Sequence, residues 1–285
     1  MDTKQHNLNQ LRILPPWQWP PHAGETLKAI LSGATDADES DRVAAAGLAG
    51  DLVVMDDQIA ELLLSIVARA DEPSALRAQA AIALGPVLEQ TDLDGFDFDF
   101  GDSQITEATF ERIKQTLRST FLDGVGVPKE VRRRVLEAAV RATEDWHVDA
   151  VRTAYSSGDD DWRLTAVFCM RWIRGFDKEI LETLNSPNAM MHLEAVRAAG
   201  GQELVAAWPH IEGLIESKGT AKPLLLAAIE AAVVIDPKEA GTVLHQLTQS
   251  KDEEIAEAAR EATQDASVFA EGEDDDENES FSNVT

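Results

Sequence analysis

The densest gathering of residues able to move a proton is Glu144-Asp145-Trp146-His147-Val148-Asp149. Lining a pocket, it would supply a carboxylate and an imidazole for general acid–base work. The same stretch also reads as a capped helix start with a packed Trp and a surface His, so both readings stand. A second concentration lies between Thr91 and Ser103, where Asp92, Asp94, Asp97, Asp99 and Asp102 recur. Carboxylates in that number suit a hard cation such as calcium, but the spacing is not that of an EF-hand loop. The other reading is an acidic surface loop whose Phe96, Phe98 and Phe100 pack on neighbouring helices.

Other chemistries find little to work with. The six histidines, His6, His22, His147, His192, His210 and His245, include no pair at the four-residue spacing that sets two metal ligands on one helix face. The one cysteine, Cys169, lies within Ala-Val-Phe-Cys-Met, where a buried and inert thiol is expected. A lone cysteine also excludes an internal disulfide and a multi-cysteine zinc site. Phosphate-cradling glycine loops and nucleophile elbows are missing from the sequence. No catalytic residue, cofactor or metal is therefore assigned.

Charge narrows the partner. The 285 residues carry 25 Lys+Arg against 52 Asp+Glu, a formal net charge of −27. Nucleic-acid and anionic-membrane binding need clustered basic groups, so neither is expected. Acidity of this degree also fits a salt-rich habitat. No apolar run reaches about 18 residues and the first residues are polar, so the expected location is the cytoplasm. Yet the charge is uneven. Residues 36–107 hold 17 acids and 3 bases, whereas residues 129–175 hold 8 acids and 9 bases. The balanced segment also contains Trp146, Trp162, Trp172 and Tyr155.

The elements that would position these groups are helices. Apolar residues recur with helical periodicity almost throughout, in pairs of stretches broken by Asp, Gly, Pro or Ser. The pairs fall near 23–32 with 39–51, 56–70 with 74–90, 104–123 with 129–143 and 145–156 with 160–174. Three more follow at 177–185 with 188–200, 203–217 with 221–235 and 237–249 with 252–264. The second members align on Arg42, Arg77, Arg132, Arg163, His192, Leu225 and Ile255. Three residues on stand Ala45, Ala80, Val135, Ala166, Ala195, Ala228 and Ala258; seven on stand Ala49, Leu84, Ala139, Met170, Ala199, Ala232 and Ala262. All are apolar and most are small, which predicts a buried stripe along which neighbouring helices approach closely.

The segments at 40–48 (Ser-Asp-Arg-Val-Ala-Ala-Ala-Gly-Leu), 76–85 (Leu-Arg-Ala-Gln-Ala-Ala-Ile-Ala-Leu-Gly) and 162–167 (Trp-Arg-Leu-Thr-Ala-Val) resemble HEAT-like repeats of the phycobilisome-lyase-like type. As a whole the chain resembles bacterial HEAT-repeat proteins of unassigned function. The resemblance implies an all-α, right-handed α–α superhelical solenoid of about seven helix pairs over residues 23–264, with the acidic insert near 91–103. It also implies that Arg42, Arg77, Arg132 and Arg163 pair with Asp between repeats, with Asp41 and Asp161 nearby. By fold analogy it offers a chromophore lyase or isomerase as an alternative function, and a DNA glycosylase that the charge disfavours. Outside the repeats lie the N-terminal Pro/Trp segment, 1–22, and an acidic tail, 265–285, expected to be disordered. Within the former, Leu14–Pro21 is expected to run as polyproline II, with Trp17 and Trp19 docked on the first helix pair or held out as a partner motif.

In such a solenoid the second helices line the concave face. Positions two, five and nine after the anchor lie opposite the buried stripe. They hold Arg134, Glu137 and Arg141, then Thr165, Phe168 and Trp172, then Glu194, Arg197 and Gly201. Either Phe168 and Trp172 are exposed anchors flanked by Arg134, Arg141 and Arg197, or the face is one position off and they are core. The first reading makes the chain a non-catalytic scaffold for a protein or peptide partner with acidic groups.

Overall fold

The computed structural model describes residues 3–96 and 104–266, with side chains from residue 8 onward. It is all-helical, with no strand among the described residues. The tail beyond 266 and Asp97, Asp99, Asp102, Phe98 and Phe100 of the insert lie outside the described residues. The chain falls into two compact units, Met1–His147 and Val148–Thr285.

In chain order the helices are α1 (Thr3–Ile13), α2 (Ala23–Leu31), α3 (Glu39–Ala49), α4 (Asp57–Ala68), α5 (Ser74–Ala83), α6 (Gly85–Asp94), α7 (Glu107–Leu122), α8 (Lys129–Ala139) and α9 (Trp146–Tyr155). There follow α10 (Asp160–Cys169), α11 (Asp177–Thr183), α12 (Ala189–Gly201), α13 (Trp208–Glu216), α14 (Lys222–Ile235) and α15 (Pro237–Leu244), then α16 over 253–266. Starts are fixed by side chains that accept from free N–H groups of the first turn. Asp38 accepts from the Asp41 N–H, Asp56 from Ile59, Asp159 from Asp161 and Trp162, and Asn188 from Met190 and Met191. The long second helix expected at 74–90 is instead two, α5 and α6, which meet at Leu84. Pro86 sits in the first turn of α6, where its missing N–H breaks no bond, whereas inside one continuous helix it would have broken one.

In the first unit α2 packs on α3, α4 on α5 and α7 on α8, while α3 also packs on α5 and α5 on α8. In the second unit α11 packs on α12 and α13 on α14, and α12 lies between α10 and α14. Small residues meet where successive second helices touch, Gly50 against Ala83 and Gly200 against Ala231. Every stripe position is buried except Ala258, which is partly exposed beside a buried Ala259. The other helices of the pairs bring bulk: Ile59, Leu63, Leu64, Ile66 and Val67 of α4 are all buried.

Residues 1–22 are not simply extended. The chain forms α1, whose buried Leu8 and Leu11 face the core, and then a single 3-10 turn at Pro16–Gln18. Pro15 and Trp19 flank the turn with polyproline-like angles. Trp19 is half-buried, its Nε1–H donating to the carbonyls of Leu11 and Leu14 at 3.0 Å each. Trp17 points away and is 77% exposed, so the expected two-tryptophan lid is a one-tryptophan clasp.

The anchor arginines share a backbone role. Arg42 reaches the carbonyl of Leu31, Arg77 that of Val67 and Arg132 that of Phe121, each at the end of the preceding helix of its pair. Arg163 bonds to the hydroxyl of Tyr155, the last residue of α9. A cation there satisfies carbonyls the helix leaves open and favours the negative end of its dipole. Arg42 also forks onto Glu72 at 2.7 and 2.8 Å, while Asp41 faces Arg12 at 3.6 Å. The expected Arg–Asp pairing is thus replaced at Arg42 by a glutamate of the next loop.

Close approach makes a prediction with two signs. A Cβ on Gly50 would lie 2.8 Å from the Ala83 carbonyl oxygen and 2.9 Å from its Cα, whereas one on Gly241, inside α15, meets nothing within 4 Å. In urea denaturation Gly50→Ala is expected to cost about 1–3 kcal/mol. Gly241→Ala is expected to gain about 0.5–1 kcal/mol from the reduced entropy of the unfolded chain.

Candidate functional site

In the second unit the site begins with the cap at Asp159, which sets the phase of α10. That phase buries Thr165, Ala166, Val167 and Cys169 and leaves Phe168, one turn on from Thr165, half-buried. The helix closes at Met170, and the Trp172 N–H donates to the Cys169 carbonyl at 3.1 Å. This turn folds the Trp172 ring back over Phe168, with centroids 5.0 Å apart and planes at 47°. Trp172 is also half-buried, so the pair is neither core nor free-standing. The Arg171 guanidinium lies 5.3 Å from the Trp172 ring centroid, within cation–π range.

Arg171 is held by α12. Its carbonyl accepts from the Gln202 side-chain amide at 2.9 Å, and a Cβ on Gly201 would come within 2.7 Å of that oxygen. Gly200 presses on Ala231 of α14 in the same way, its absent Cβ 3.0 Å away. Between these helices lies a cleft of about 180 Å³ lined by Arg171, Arg197, Gly201, Ala227, Glu230 and Val234. Val234 is 41% exposed at its edge.

The remaining expected site residues are engaged with acids of the chain. Arg197 meets Glu194 at 2.9 Å, with Glu194 buried. In the first unit Arg134 meets buried Glu137 at 2.5 Å, and Arg141 meets Glu89 of α6 at 2.8 Å with its side chain only 18% exposed. Glu137, Thr165 and Glu194 belong to the row taken to lie opposite the stripe, and all three are buried. The row is therefore not a solvent face. Second helices have neighbours on more than one side, and only its longer side chains reach outward.

His147 is fully buried rather than on the surface. Its Nδ1 accepts from the Glu144 N–H at 2.8 Å, and Trp146 donates to the Glu144 carboxylate at 2.9 Å while packing on Phe121. The stretch acts as a helix start, and its imidazole has no face toward a substrate. Cys169 is fully buried. At the insert, Phe96 packs edge-on to Phe110, and Asp94 accepts from Gln90. Among the described residues no three His, Cys, Asp or Glu side chains gather as a metal site. An open groove of about 610 Å³ in the first unit, between Glu25, Lys28, Asp57 and Glu61, is bordered by charges already paired, as Lys28 with Asp56 and Arg112 with Glu61.

One constellation has no warning in sequence spacing. His192 of α12 and His210 of α13 face each other with their Nε2 atoms 2.8 Å apart. Burial, and for His192 the neighbouring ring, holds both below the ordinary histidine range. Its only trace in the sequence is a His at the anchor position that four earlier pairs give to Arg.

No protein-family model matches this chain, and no curated protein matches it. Among solved structures, human deoxyhypusine hydroxylase in complex with glycerol is 17% identical over 91% of this chain and 88% of its own, with a TM-score of 0.40. A likeness at that level carries no argument about architecture or chemistry. No helix among the described residues is long and apolar enough to cross a membrane.

The buried imidazole makes this unit acid-sensitive. Burial, then the nearby Arg118, pushes His147 down from 6.5 to about 4. The unfolded chain takes up this proton near pH 6.5 and the folded one only near 4, so stability is full above 6.5 and falls as pH drops toward 4. Relative to a His147→Gln variant, the wild type is expected to lose up to about 3 kcal/mol across that window in urea denaturation at stepped pH. Parallel pH profiles for the two proteins would refute the assignment.

Proposed function

We propose that the chain is a non-catalytic interaction scaffold, a right-handed α–α solenoid of about seven HEAT-like helix pairs whose second helices present a concave binding face. The stacking of second helices within each unit supports this architecture. The partner is a protein or peptide segment that combines an apolar side chain with acidic groups. One observation carries the reading: the half-buried Phe168–Trp172 pair beside a cleft edged by Arg171 and Arg197. Aromatic and Arg side chains at a partly desolvated cleft are the groups that dominate binding energy at interfaces. Phe168 and Trp172 serve as anchors, Arg197 as the selector of acidic groups, and Arg171 joins them. The site is proposed for the second unit alone; Arg134 and Arg141 of the first unit are engaged by Glu137 and Glu89. The acidic flanks of the chain turn away nucleic acid and strongly acidic proteins.

The test is affinity capture from lysate of the source organism with wild type beside Phe168→Ala/Trp172→Ala, both checked for helical circular dichroism. Binding of the captured partner is then titrated. The folded double variant is expected to bind about 30-fold or more weakly, the loss typical of a hot spot. Equal affinity would move the interface elsewhere, with exposed Trp17 the next surface to mutate.

A further inference from the structure

We infer that His192 and His210 form a two-ligand site for a borderline divalent transition-metal ion, one that clips α12 to α13. Both side chains leave helices of nine residues or more near their first turns, so their backbones are rigid. Their Nε2 atoms meet at 2.8 Å, with ring centroids 5.0 Å apart and planes at 66°. Metal–imidazole bonds of about 2.0–2.1 Å meeting at a right angle hold two nitrogens about 2.9 Å apart; a tetrahedral angle holds them about 3.3 Å apart. The observed separation is close to the right-angle value, but with ring centroids 5.0 Å apart the two rings point at each other, so each must swing to aim its Nε2 at an ion. The general order of divalent affinities at nitrogen sites puts Cu²⁺ first, ahead of Ni²⁺ and Zn²⁺.

Without metal one ring donates its Nε2 proton to the other. On binding, that ring moves the proton to Nδ1 through solvent and both Nε2 lone pairs turn to the ion, with no net proton released. Both rings are half-buried, which keeps them neutral and ready to ligate near pH 7. The register adds an independent argument. At this anchor position Arg42, Arg77 and Arg132 reach back to a carbonyl of the preceding helix. His192 instead turns forward, to His210 on the next helix. With no third His, Cys, Asp or Glu gathered there among the described residues, the other positions of the ion go to water. Binding is then reversible and sensitive to free metal.

The experiment uses the full chain without a purification tag, stripped with a chelator and titrated calorimetrically with Cu²⁺ alone and with Ni²⁺ alone. Wild type, His192→Gln, His210→Gln and, as a control distant in sequence, His245→Gln are compared. One high-affinity equivalent is expected in wild type and in His245→Gln. Each of His192→Gln and His210→Gln is expected to weaken it at least tenfold. At a hundredfold excess of metal over Kd the wild-type Tm should rise by roughly 5 °C. Electron paramagnetic resonance of the Cu²⁺ form, showing two imidazole nitrogens, keeps the test decisive if a Gln variant fails to fold. Absence of a high-affinity equivalent in wild type, or one that both variants retain, overturns the proposal.

Discussion

Two backbones come so near to one another between successive second helices that only a small residue fits where they meet. Gly50 against Ala83 in the first unit, and Gly201 against Arg171 and Gly200 against Ala231 in the second, are such places. Alanines bury little area each, so the stripe contributes proximity rather than much hydrophobic free energy. The larger burial comes from the facing helices, such as the Ile, Leu and Val side of α4. This division of labour sets everything else. Close second helices crowd the row opposite the stripe from its two sides.

Crowding explains the carboxylates. Glu137 and Glu194 are buried at positions where a lone helix would expose them, and each is met by an Arg one turn away, Arg134 before Glu137 and Arg197 after Glu194. A buried carboxylate without such a partner would cost several kcal/mol. The arginines therefore stabilise the fold before they meet any partner. Their guanidinium groups still reach solvent, with Arg134 and Arg197 about two-fifths exposed. The structural and the recognition roles are thus compatible in one side chain: the inner nitrogens answer the fold and the outer edge faces outward.

Much of the architecture was legible because helices announce themselves locally. Period together with the Pro and Asp starts placed most of the helices to within a few residues, and the stripe is buried at nearly every position. What was not legible depended on tertiary neighbours. Helix α1 is polar on average, and only Leu8 and Leu11 show that it packs. The break between α5 and α6 at Leu84 was readable from Pro86 but was overridden by the longer apolar pattern. The site was half legible. Spacing put Phe168 and Trp172 on one face of a helix over 160–174, but α10 ends at Cys169, and it is the turn after Met170 that brings the two rings together and sets Arg171 over Trp172. His192 and His210 stand 18 residues apart on different helices, so no single-helix rule could pair them.

The degree of exposure of the aromatic pair bears on how such a site would work. A fully exposed tryptophan would be free in rotamer and would lose that freedom on binding; a fully buried one would offer nothing to bind. Trp172 is between these limits, with Phe168 beneath it and Arg171 over its ring. Its orientation is set before any partner arrives, so little side-chain entropy is left to lose. Affinity on the proposed reading would then come from the ordered rings. Discrimination would come from the arginines, whose paired carboxylates demand that an incoming acid match or displace them. A neutral apolar peptide would meet the rings without that exchange, and a densely acidic one would be opposed by the chain's own charge of −27. On that reading the surface would suit a segment with one apolar anchor and a few acids beside it.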